Sequence, residues 1–480
     1  MFLGIDIGTS GVKAVVLDTA GTVAGQGNAA LTVLRPRPGW SEQDSDTWWD
    51  ATDAAVRAID PHIRGQVRGI GLAGQMHGAT LLGPDDRPLR PAILWNDGRS
   101  AAECAELEAA TPAFHAIGGN RVMPGFTAPK LQWVRHHEPD LFARIATVLL
   151  PKDYVRLRMT GDKASDLSAA AGTLWLDVAR RRWSDALLAV TGLTRDRMPR
   201  LVEGSETTGT LRADVAAAWG MAAVPVAGGG GDNAAGAAGV GAVRDGDALL
   251  SLGTSGVIFV ATDRFRPNVA GAVHAFCHSV PEMWHQMAVH LSAASCIDWV
   301  ARLTGATGAA DLFARAERAG PAAGPELFLP YLSGERTPHN DAQVRGAFLR
   351  LDNDSGPERL AQAVLEGVGF ALADGLGAIR DAGTSVERLS VIGGGARSRY
   401  WGETLAAAIN VELVYLHGGE VGPALGAARL AQLAVDGGTP ADVCQPPPVS
   451  HVVTPDPALV ERLAPKYAAF RAAYPRIRTL

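Results

Sequence analysis

The chain has 480 residues, of which 47% are hydrophobic and 20% charged, a composition typical of a soluble globular enzyme with two to four domains. Its 44 basic and 50 acidic residues give a formal charge of −6, so electrostatics favours neither nucleic acid nor an anionic membrane as a partner. The four cysteines are scattered and form no CxxC, which argues against a zinc ribbon or a disulfide framework and predicts a reducing compartment. The N-terminus, MFLGIDIGTS, lacks the features of a signal peptide, so we expect a cytoplasmic protein.

The first predicted element is a strand, a tight turn and a second strand at the N-terminus. The apolar run Phe2–Ile7 leads into GTSGV at Gly8–Val12, and a β-branched run follows at Ala14–Asp18. Backbone N–H groups and hydroxyls in such a turn can bind phosphate oxygens, and an acidic residue just ahead, Asp6, can hold water on Mg²⁺. The alternative is an ordinary hairpin with a polar turn. The candidate phosphate ligands are Gly8, Thr9, Ser10 and Lys13.

A helix is predicted from the capping residues Asp44/Ser45 to Ala58, and a buried strand follows at Val67–Ala73. The GxGxxG match at Gly69–Gly74 lies within that strand instead of opening a helix, so we interpret it as a chance match to a dinucleotide site. Its glycines are more typical of a strand against which another element packs closely. Because open α/β sheets bind ligands at strand ends, the residues that follow are candidate substrate ligands, although a lone histidine is more often structural. These candidates are Gln75, Met76 and His77.

The segment VPVAGGGGDNAAGAAGVG, at Val224–Gly241, is the sharpest local signal. A strand ends in four glycines, and Asp232 and Asn233 then begin a helix rich in small residues. Asp232 could serve only as a helix N-cap. The functional interpretation is a general base at the floor of a cleft. For phosphoryl transfer a carboxylate of ordinary pKa would suffice, because positioning and electrostatics supply most of the rate.

GTSGV occurs again at Gly253–Val257, between the apolar run Ala248–Leu252 and the β-branched run Ile258–Asp263. Ser251 replaces Asp6 in this copy, so we expect the first loop alone to bring its own carboxylate. The matching flanks indicate an internal duplication. A second pair supports it, because VERLSVIGGG in the second half resembles VRGIGLAGQ in the first. We therefore predict two similar α/β domains, residues 1–242 and 243–480, facing each other across a cleft.

The remaining signals are coarser. Apolar spacing predicts a helix at Leu360–Arg380 and an amphipathic stretch at Pro457–Tyr474. The chain contains no GxxxxGK[ST], so it is not a P-loop NTPase. The spacing of His274, Cys277 and His278 fits no usual zinc set, and a metal is not expected there.

These motifs together resemble the FGGY family of carbohydrate kinases, within the sugar-kinase, actin and heat-shock-chaperone ATPase superfamily. The resemblance runs nearly end to end. In detail the chain is similar to the members that phosphorylate the ketopentose D-xylulose, whereas glycerol kinases carry Arg-Glu in place of Met76-His77, which argues against glycerol. The stretches that carry the resemblance are GIDIGTSGVKAVVLD, GLAGQMHGATLL, RPAILWNDGRS, MPGFTAPKLQWV, LLPKDYVRLRMTG, AGGGGDNAAGA, LSLGTSGV, FLPYLSGERTPHN, IGGGARS and GPALGAARLA.

The resemblance implies a fold of two actin-like, ribonuclease-H-like α/β domains and a reaction that uses ATP and Mg²⁺. It implies that Asp232 is the catalytic base, that Met76, His77 and Asn233 contact the sugar, and that Asp6 supports Mg²⁺ through water. A homodimer is common in such families. The implied ATP ligands are the first loop (Gly8, Thr9, Ser10, Lys13), the second loop (Gly253, Thr254, Ser255) and an adenosine-side group (Gly393, Gly394, Gly395, Ala396, with Arg397 and Asn410 nearby).

Three functions follow, from different classes. The first is an ATP-dependent kinase for D-xylulose or another pentulose such as ribulose. The second is an actin-like or chaperone-like ATPase, which would need no sugar contacts of the kind that QMHG and the Asp232 segment offer. The third is a sugar-binding regulator without turnover, which the intact Asp6, Asp232 and both glycine turns disfavour.

Overall fold

The computed structural model describes residues 1–393, 395, 398–417 and 422–479. Here the first half denotes residues 1–242 and the second half residues 243–480. The strands of the first half are β1 (Phe2–Ile7), β2 (Gly11–Leu17), β3 (Val23–Ala30), β4 (Glu42–Gln43), β5 (Gly69–Gly74), β6 (Thr80–Leu82), β7 (Ala92–Ile93), β8 (Thr147–Leu149), β9 (Ala164–Asp166), β10 (Leu176–Asp177), β11 (Arg182–Trp183), β12 (Arg200–Val202), β13 (Thr207–Thr210), β14 (Pro225–Ala227) and β15 (Gly230–Gly231). Its α-helices are α1 (Ser45–Arg57), α2 (Pro61–Arg64), α3 (Ala101–Ala110), α4 (Ala113–Ala116), α5 (Thr127–His137), α6 (Pro139–Ala143), α7 (Pro151–Thr160), α8 (Leu167–Ala171), α9 (Asp185–Val190), α10 (Ala213–Trp219) and α11 (Asp232–Gly239).

The second half continues the same alternation of strands and helices. Its strands are β16 (Ala248–Leu252), β17 (Gly256–Thr262), β18 (His274–Cys277), β19 (Trp284–His290), β20 (Leu327–Leu329), β21 (Ala347–Leu349), β22 (Arg388–Ile392), β23 (Glu412–Leu416) and β24 (Val449–Val453). Its α-helices are α12 (Ser295–Thr304), α13 (Ala309–Ala319), α14 (Pro357–Asp381), α15 (Arg399–Ile409), α16 (Gly422–Asp436), α17 (Pro440–Val443) and α18 (Pro457–Ile477).

Each half is built around a mixed seven-stranded sheet with the same central order. In the first half the order is β13-β14-β5-β1-β2-β3, with β15 added beside β5, and in the second it is β18-β19-β17-β16-β22-β23-β24. Both GTSGV turns join an antiparallel pair, β1–β2 or β16–β17. In both sheets the first strand of that pair has a parallel neighbour, β5 or β22. The predicted duplication and the two-domain α/β fold are therefore confirmed.

Glycines in β1 and β5 let a helix of the second half pack directly on the first sheet. A Cβ atom at Gly4 would overlap the carbonyl oxygen of Ala424, and one at Gly71 would overlap that of Ala427. The two alanines lie in α16, and Gly426 of the same helix meets α11 equally closely, at the carbonyl oxygen of Ala235. This packing confirms the interpretation of GIGLAG as a strand whose glycines let another element pack closely against it. It also means that the core of residues 1–242 is completed by a helix from residues 243–480.

The two halves also touch beside β18 and β19, which closes one side of the space between them. The side-chain amide of Asn120 donates to the carbonyl of Ala275 at 3.0 Å, and Arg121 Nε donates to that of Val269 at 2.9 Å. Further along, Trp284 Nε1 donates to the carbonyl of Val178 at 2.8 Å. These contacts tie the two halves together beside β18 and β19.

The helices predicted from local signals form close to their expected limits. Asp44 caps α1 through the N–H of Asp46, and the long helices α14 and α18 cover the stretches predicted from apolar spacing. Among the described residues α14 is the one helix long and apolar enough to cross a membrane, and 89% of its apolar window is buried inside the protein.

Candidate active site

Strand register brings the candidate residues of the first half to one edge of its sheet. Asp6 pairs with Ala73 in the parallel β1–β5 ladder, and Ala73 pairs in turn with Gly230 of β15. All three strands run in the same direction, so their carboxyl ends meet. The segments that leave them are the first GTSGV turn, Gln75–His77, and Asp232 at the start of α11. This edge is where open α/β sheets bind ligands.

The first GTSGV turn is held by a network of amide and indole groups. Gln75 is buried, and its amide accepts from the Thr9 hydroxyl at 3.1 Å and donates to Gln43 Oε1 at 2.9 Å. Gln43 Nε2 donates to the carbonyl of Thr9 at 2.8 Å, and Trp95 Nε1 donates to the Thr9 hydroxyl at 2.9 Å. Gln75 therefore fixes the first turn through its amide, and the expectation that it contacts the sugar stays a prediction.

Asp6 is a buried carboxylate that faces charge of both signs. Its Oδ1 is buried and has no hydrogen-bond partner among the described residues, and Lys13 is its partner across the β1–β2 hairpin. Burial, together with the negative charge of Asp232, raises the pKa of Asp6 to about 7, while Lys13 opposes the shift. An orphaned carboxylate oxygen near a second carboxylate suits a hard divalent cation such as Mg²⁺. Within the described ranges no group of three or more His, Cys, Asp or Glu side chains is placed to hold a metal ion.

Asp232 is the first residue of α11, and Gly231 occupies the N-cap position. Its Oδ1 accepts from the Asn233 backbone N–H at 2.7 Å and from the Asn233 side-chain amide at 3.0 Å, so Asn233 orients the carboxylate. Burial raises the pKa of Asp232 to about 6, and the bonds from Asn233 limit the rise. The carboxylate is therefore mostly ionised at neutral pH and more basic than an ordinary aspartate. An ordinary pKa would have sufficed for phosphoryl transfer, and burial raises the pKa of Asp232 above it.

His77 has a left-handed backbone, with φ of 71°, directly after β5. Its Nδ1 lies 2.6 Å from the carbonyl oxygen of Gly172, and a carbonyl can only accept, so Nδ1 carries the proton. Burial and the nearby Lys130 and Arg336 charges lower the pKa of His77 to about 3. The ring is therefore neutral, and its Nε2 is an acceptor for a ligand hydroxyl.

A buried lysine supports this backbone conformation. Lys130 Nζ donates to the carbonyl of His77 at 2.9 Å and to that of Gly125 at 2.6 Å, and the Thr127 hydroxyl donates to His77 at 3.2 Å. Lys130 is fully buried, and burial lowers its pKa to about 7. Neither Lys130 nor Thr127 was predicted to support the site, although both lie in the stretch MPGFTAPKLQWV.

A cavity of about 160 Å³, here called the central cavity, opens beside Asp232 between the two halves. Met76 and Asn233 line it as predicted for sugar contacts, together with His77 and with Ser255 of the second GTSGV turn. Several other lining residues were not predicted to contact a ligand, because they are ordinary in their local context. Those residues are Trp95, Val257, His274, Phe276, Met287, Val289, Leu291 and Arg336.

Phe126 belongs to the neighbouring small cavity, where its ring packs edge-on against His77 at 4.9 Å and against His274 at 5.4 Å. His274 therefore lies in the wall that the central cavity and this small cavity share. The other two residues of the rejected zinc set bond to backbone oxygens instead, Cys277 to Val178 and His278 to Ala242.

The second GTSGV turn is held by backbone bonds to the start of α12. The N–H groups of Ala293 and Ala294 donate to the carbonyls of Thr254 and Gly253, at 2.9 and 3.0 Å. The predicted adenosine-side glycines approach this turn, because a Cβ at Gly395 would lie 3.0 Å from that of Leu252, at the end of β16. Three of the predicted residues, Gly394, Ala396 and Arg397, lie outside the described residues.

The structure does not bring Asn410 to the adenosine-side glycines. It caps the C-terminus of α15 with φ of 53°, whereas Gly393 and Gly395 precede the N-terminus of that helix at Arg399. The 11 residues of α15 separate the two ends by roughly 16 Å at 1.5 Å per residue. The Asn410 backbone caps α15, for which its tolerance of a left-handed conformation suits it, and the assignment of Asn410 to ATP stays a prediction.

Known proteins share this architecture and these motifs. The model of the FGGY family of carbohydrate kinases, N-terminal domain, matches residues 1–239, and the model of its C-terminal domain matches residues 248–435. A xylulose kinase of Escherichia coli is 58% identical over 437 residues, covering 91% of this chain and 90% of its own length. One from Klebsiella pneumoniae is 53% identical over 483 residues and the full length of both chains.

Solved structures agree with the sequence comparisons. The crystal structure of a "xyloylose kinase" from Brucella ovis superposes with a TM-score of 0.97 at 51% identity, covering 100% of this chain and 99% of the other. The xylulose kinase of Rhodospirillum rubrum superposes with a TM-score of 0.92 at 30% identity, with coverage of 100% and 99%. Because both family models match the chain and a relative is 53% identical over its full length, the chain belongs to the FGGY family of carbohydrate kinases.

Proposed function

We propose that the protein transfers the γ-phosphoryl group of ATP to D-xylulose and produces D-xylulose 5-phosphate. The observation that carries the proposal is the oriented, ionised carboxylate of Asp232 at one end of the central cavity. The cavity is smaller than the roughly 300–1,000 Å³ of pockets for drug-sized ligands, which suits a small sugar. The choice of sugar is supported by relatives named xylulose kinase at 58% and 53% identity.

Asp232 acts as the general base. Its Oδ1 already accepts two hydrogen bonds from Asn233, so Oδ2 is the oxygen that accepts the proton of the attacking sugar hydroxyl. A raised pKa of about 6 keeps the carboxylate ionised at pH 7 and brings its proton affinity closer to the operating pH. Positioning and charge stabilisation supply the remainder of the rate.

Three residues of the first half that line the cavity are placed to contact the sugar. Neutral His77 offers Nε2 as an acceptor, because its Nδ1–H is committed to Gly172. Met76 offers its main chain, and Asn233 lines the cavity next to the base. On the second half, Phe276 and Val257 give the cavity an apolar wall that excludes water from the transferring group.

ATP would span the two halves. In this proposal the first turn (Gly8, Thr9, Ser10, Lys13) and the second (Gly253, Thr254, Ser255) bind its phosphates, and Gly393 and Gly395 lie on the adenosine side. Asp6 would hold Mg²⁺ through water, since its Oδ1 lacks a partner among the described residues. A bound Mg²⁺ would neutralise charge on the phosphates. Since ATP is the donor, we propose a cytoplasmic location, and a homodimer stays a prediction.

A coupled assay of ADP release tests the proposal. The panel is D-xylulose, D-ribulose, L-ribulose, glycerol, D-glucose and D-fructose, each with ATP and Mg²⁺, and with Asp232→Asn as the inactive control. We expect the highest kcat/KM for D-xylulose. Higher kcat/KM for glycerol or a hexose would refute the substrate assignment, and ATP hydrolysis unaffected by every sugar would favour the actin-like ATPase alternative.

A further inference from the structure

Arg336 brings a positive charge from the second half into the central cavity. It lies in the loop that follows β20, and it lines the cavity with His77 and Asp232 of the first half. Burial lowers the pKa of Arg336 below its usual range, but a guanidinium remains a cation at neutral pH. The proposed catalytic chemistry does not use this side chain.

The neighbouring carboxylate does not neutralise this charge. Glu335 is turned away: its Oε1 accepts from the N–H groups of Leu291 at 3.1 Å and Arg336 at 2.8 Å, and its Oε2 lies 3.3 Å from His290 Nδ1. In the part of the chain that the structure describes, no carboxylate lies within salt-bridge distance of the Arg336 guanidinium. A largely buried cation without a counter-charge is costly unless a ligand supplies oxygen acceptors.

His274 fixes the direction of the guanidinium. Arg336 Nη1 lies 3.3 Å from His274 Nε2, and His274 Nδ1 lies 3.2 Å from Asn120 Oδ1. Because the guanidinium can only donate, His274 must accept at Nε2 and donate at Nδ1. The imidazole also stacks on Phe276 with ring centroids 5.4 Å apart. One arm of the planar guanidinium is thus anchored, and its other nitrogens are left for a ligand.

Arg336 lies toward the end of the cavity away from the base. It also lines the small adjoining cavity with His77, Trp95, Phe126 and His274, whereas Asp232 does not line that space. A sugar whose reacting hydroxyl meets Asp232 would therefore direct its other end toward Arg336. For D-xylulose phosphorylated at C5, that end carries the C2 ketone.

We propose that Arg336 is a specificity-determining residue that binds the C2 carbonyl oxygen of the ketose through its unanchored nitrogens. This inference rests on the proposed function. A ketone oxygen can only accept hydrogen bonds and a guanidinium can only donate them, so the two are complementary. The loss of a charged donor from a buried acceptor changes affinity by roughly 10- to 100-fold.

The test compares D-xylulose with xylitol and D-arabinitol, which differ from it by reduction at C2. In the full-length enzyme we expect Arg336→Met to lower kcat/KM for D-xylulose by roughly 10- to 100-fold. The same substitution should lower kcat/KM for the two alditols by less than about 5-fold. The KM for ATP should stay within about 2-fold. Arg336→Lys should recover part of the preference for D-xylulose over the alditols. The control variant Arg302→Met, at an exposed position of α12, should match the wild type. The ratio between two substrates does not depend on the fraction of folded enzyme.

The outcomes separate this inference from the proposed function. A wild-type enzyme that does not phosphorylate D-xylulose would refute the proposed function. A wild type that does, with an Arg336→Met variant whose ketose preference is unchanged, would overturn the role of Arg336 alone. A larger rise in KM for ATP than for sugar would assign the guanidinium to the phosphates instead. With 1-deoxy-D-xylulose the effect of Arg336→Met should persist; if it disappears, the C1 hydroxyl is the partner and the ketone assignment is wrong.

Discussion

Replacing Asp232 by asparagine should make the enzyme both slower and more stable. The amide side chain of the Asp232→Asn variant can keep an oxygen acceptor for the Asn233 N–H groups, so the local geometry should persist. That amide cannot accept a proton from the sugar, and we expect kcat to fall by roughly 10²-fold or more, with the KM for ATP nearly unchanged.

The gain in stability follows from the raised pKa of Asp232. Burial lifts that pKa from 3.8 to about 6, so ionisation of the carboxyl opposes folding. For a carboxyl raised in this way, the penalty is absent below the unfolded-state pKa and complete above the folded-state pKa. At 1.36 kcal/mol per pKa unit it approaches about 3 kcal/mol at pH 8 and falls to roughly half of that at pH 5. Removing the charge on Asp232 should also let Asp6 ionise more easily.

Urea unfolding of the ligand-free protein at pH 8 and pH 5 measures this effect. We expect Asp232→Asn to be the more stable form at both pH values, with the larger advantage at pH 8. The coupled ADP assay on the same preparations measures turnover. A turnover within a few-fold of wild type would reject Asp232 as the base, and a variant less stable than wild type at pH 8 would refute the argument from burial.

Three further predictions concern the sugar site and the movement of the two halves. His77→Ala should raise the KM for D-xylulose by roughly 5- to 100-fold and leave that for ATP nearly unchanged; an equal effect on both in steady-state kinetics would mean that His77 is structural. Gly172→Ala would place a methyl group 2.6 Å from His77 Cε1, so we expect a several-fold rise in the KM for sugar. Gly377→Ala is the matched control, because its methyl group would meet no atom within 4 Å. We expect the two halves to close when sugar and a non-hydrolysable ATP analogue bind together, which should lower the radius of gyration in small-angle scattering. ATP hydrolysis without sugar should be slow but detectable. An unchanged radius of gyration with both ligands saturating would contradict closure.

Closure of the two halves needs a hinge, and we expect it in the glycine-rich stretch Gly236–Gly246, where backbone rotation costs little. Gly236 lies inside α11, and a Cβ at Gly239 would come within 3.0 Å of α16, so this part is helical and tightly packed. Gly241 and Gly246 have φ of 81° and 85° in the connection between the halves. A Cβ at Gly241 would lie 2.6 Å from the backbone nitrogen of Pro446, whereas one at Gly246 would meet nothing within 4 Å, so we expect the rotation in this connection to be concentrated near Gly246.

Local sequence signals determined much of the fold. Both GTSGV hairpins and the glycine-thinned strand β5 were predictable because strand runs and tight turns are set by neighbouring residues. Asp232 was recognisable since it follows a glycine run at a strand end. Local reasoning did not reveal that the Gln75 amide holds the first turn or that the Asn410 backbone caps a helix, because both contacts depend on the assembled structure.

The missed residues are those whose role depends on contacts distant in sequence. His274 and Arg336 are 62 positions apart and meet across β18 and the loop after β20. Lys130 reaches the carbonyl of His77 from a helix 53 positions later. None of the three stands in a short motif whose chemistry is evident in isolation, so only the assembled fold reveals that they serve one cavity.

The packing of α16 on the first sheet has a consequence for synthesis of the chain. β1 and β5 emerge from the ribosome early, but the helix that covers their glycine face, Gly422–Asp436, emerges near the end of translation. Until then, that face of the N-terminal sheet has no native partner. The nascent first half must therefore wait, incompletely folded, for almost the whole polypeptide, and a fragment ending at residue 242 should fail to reach a native state when expressed alone.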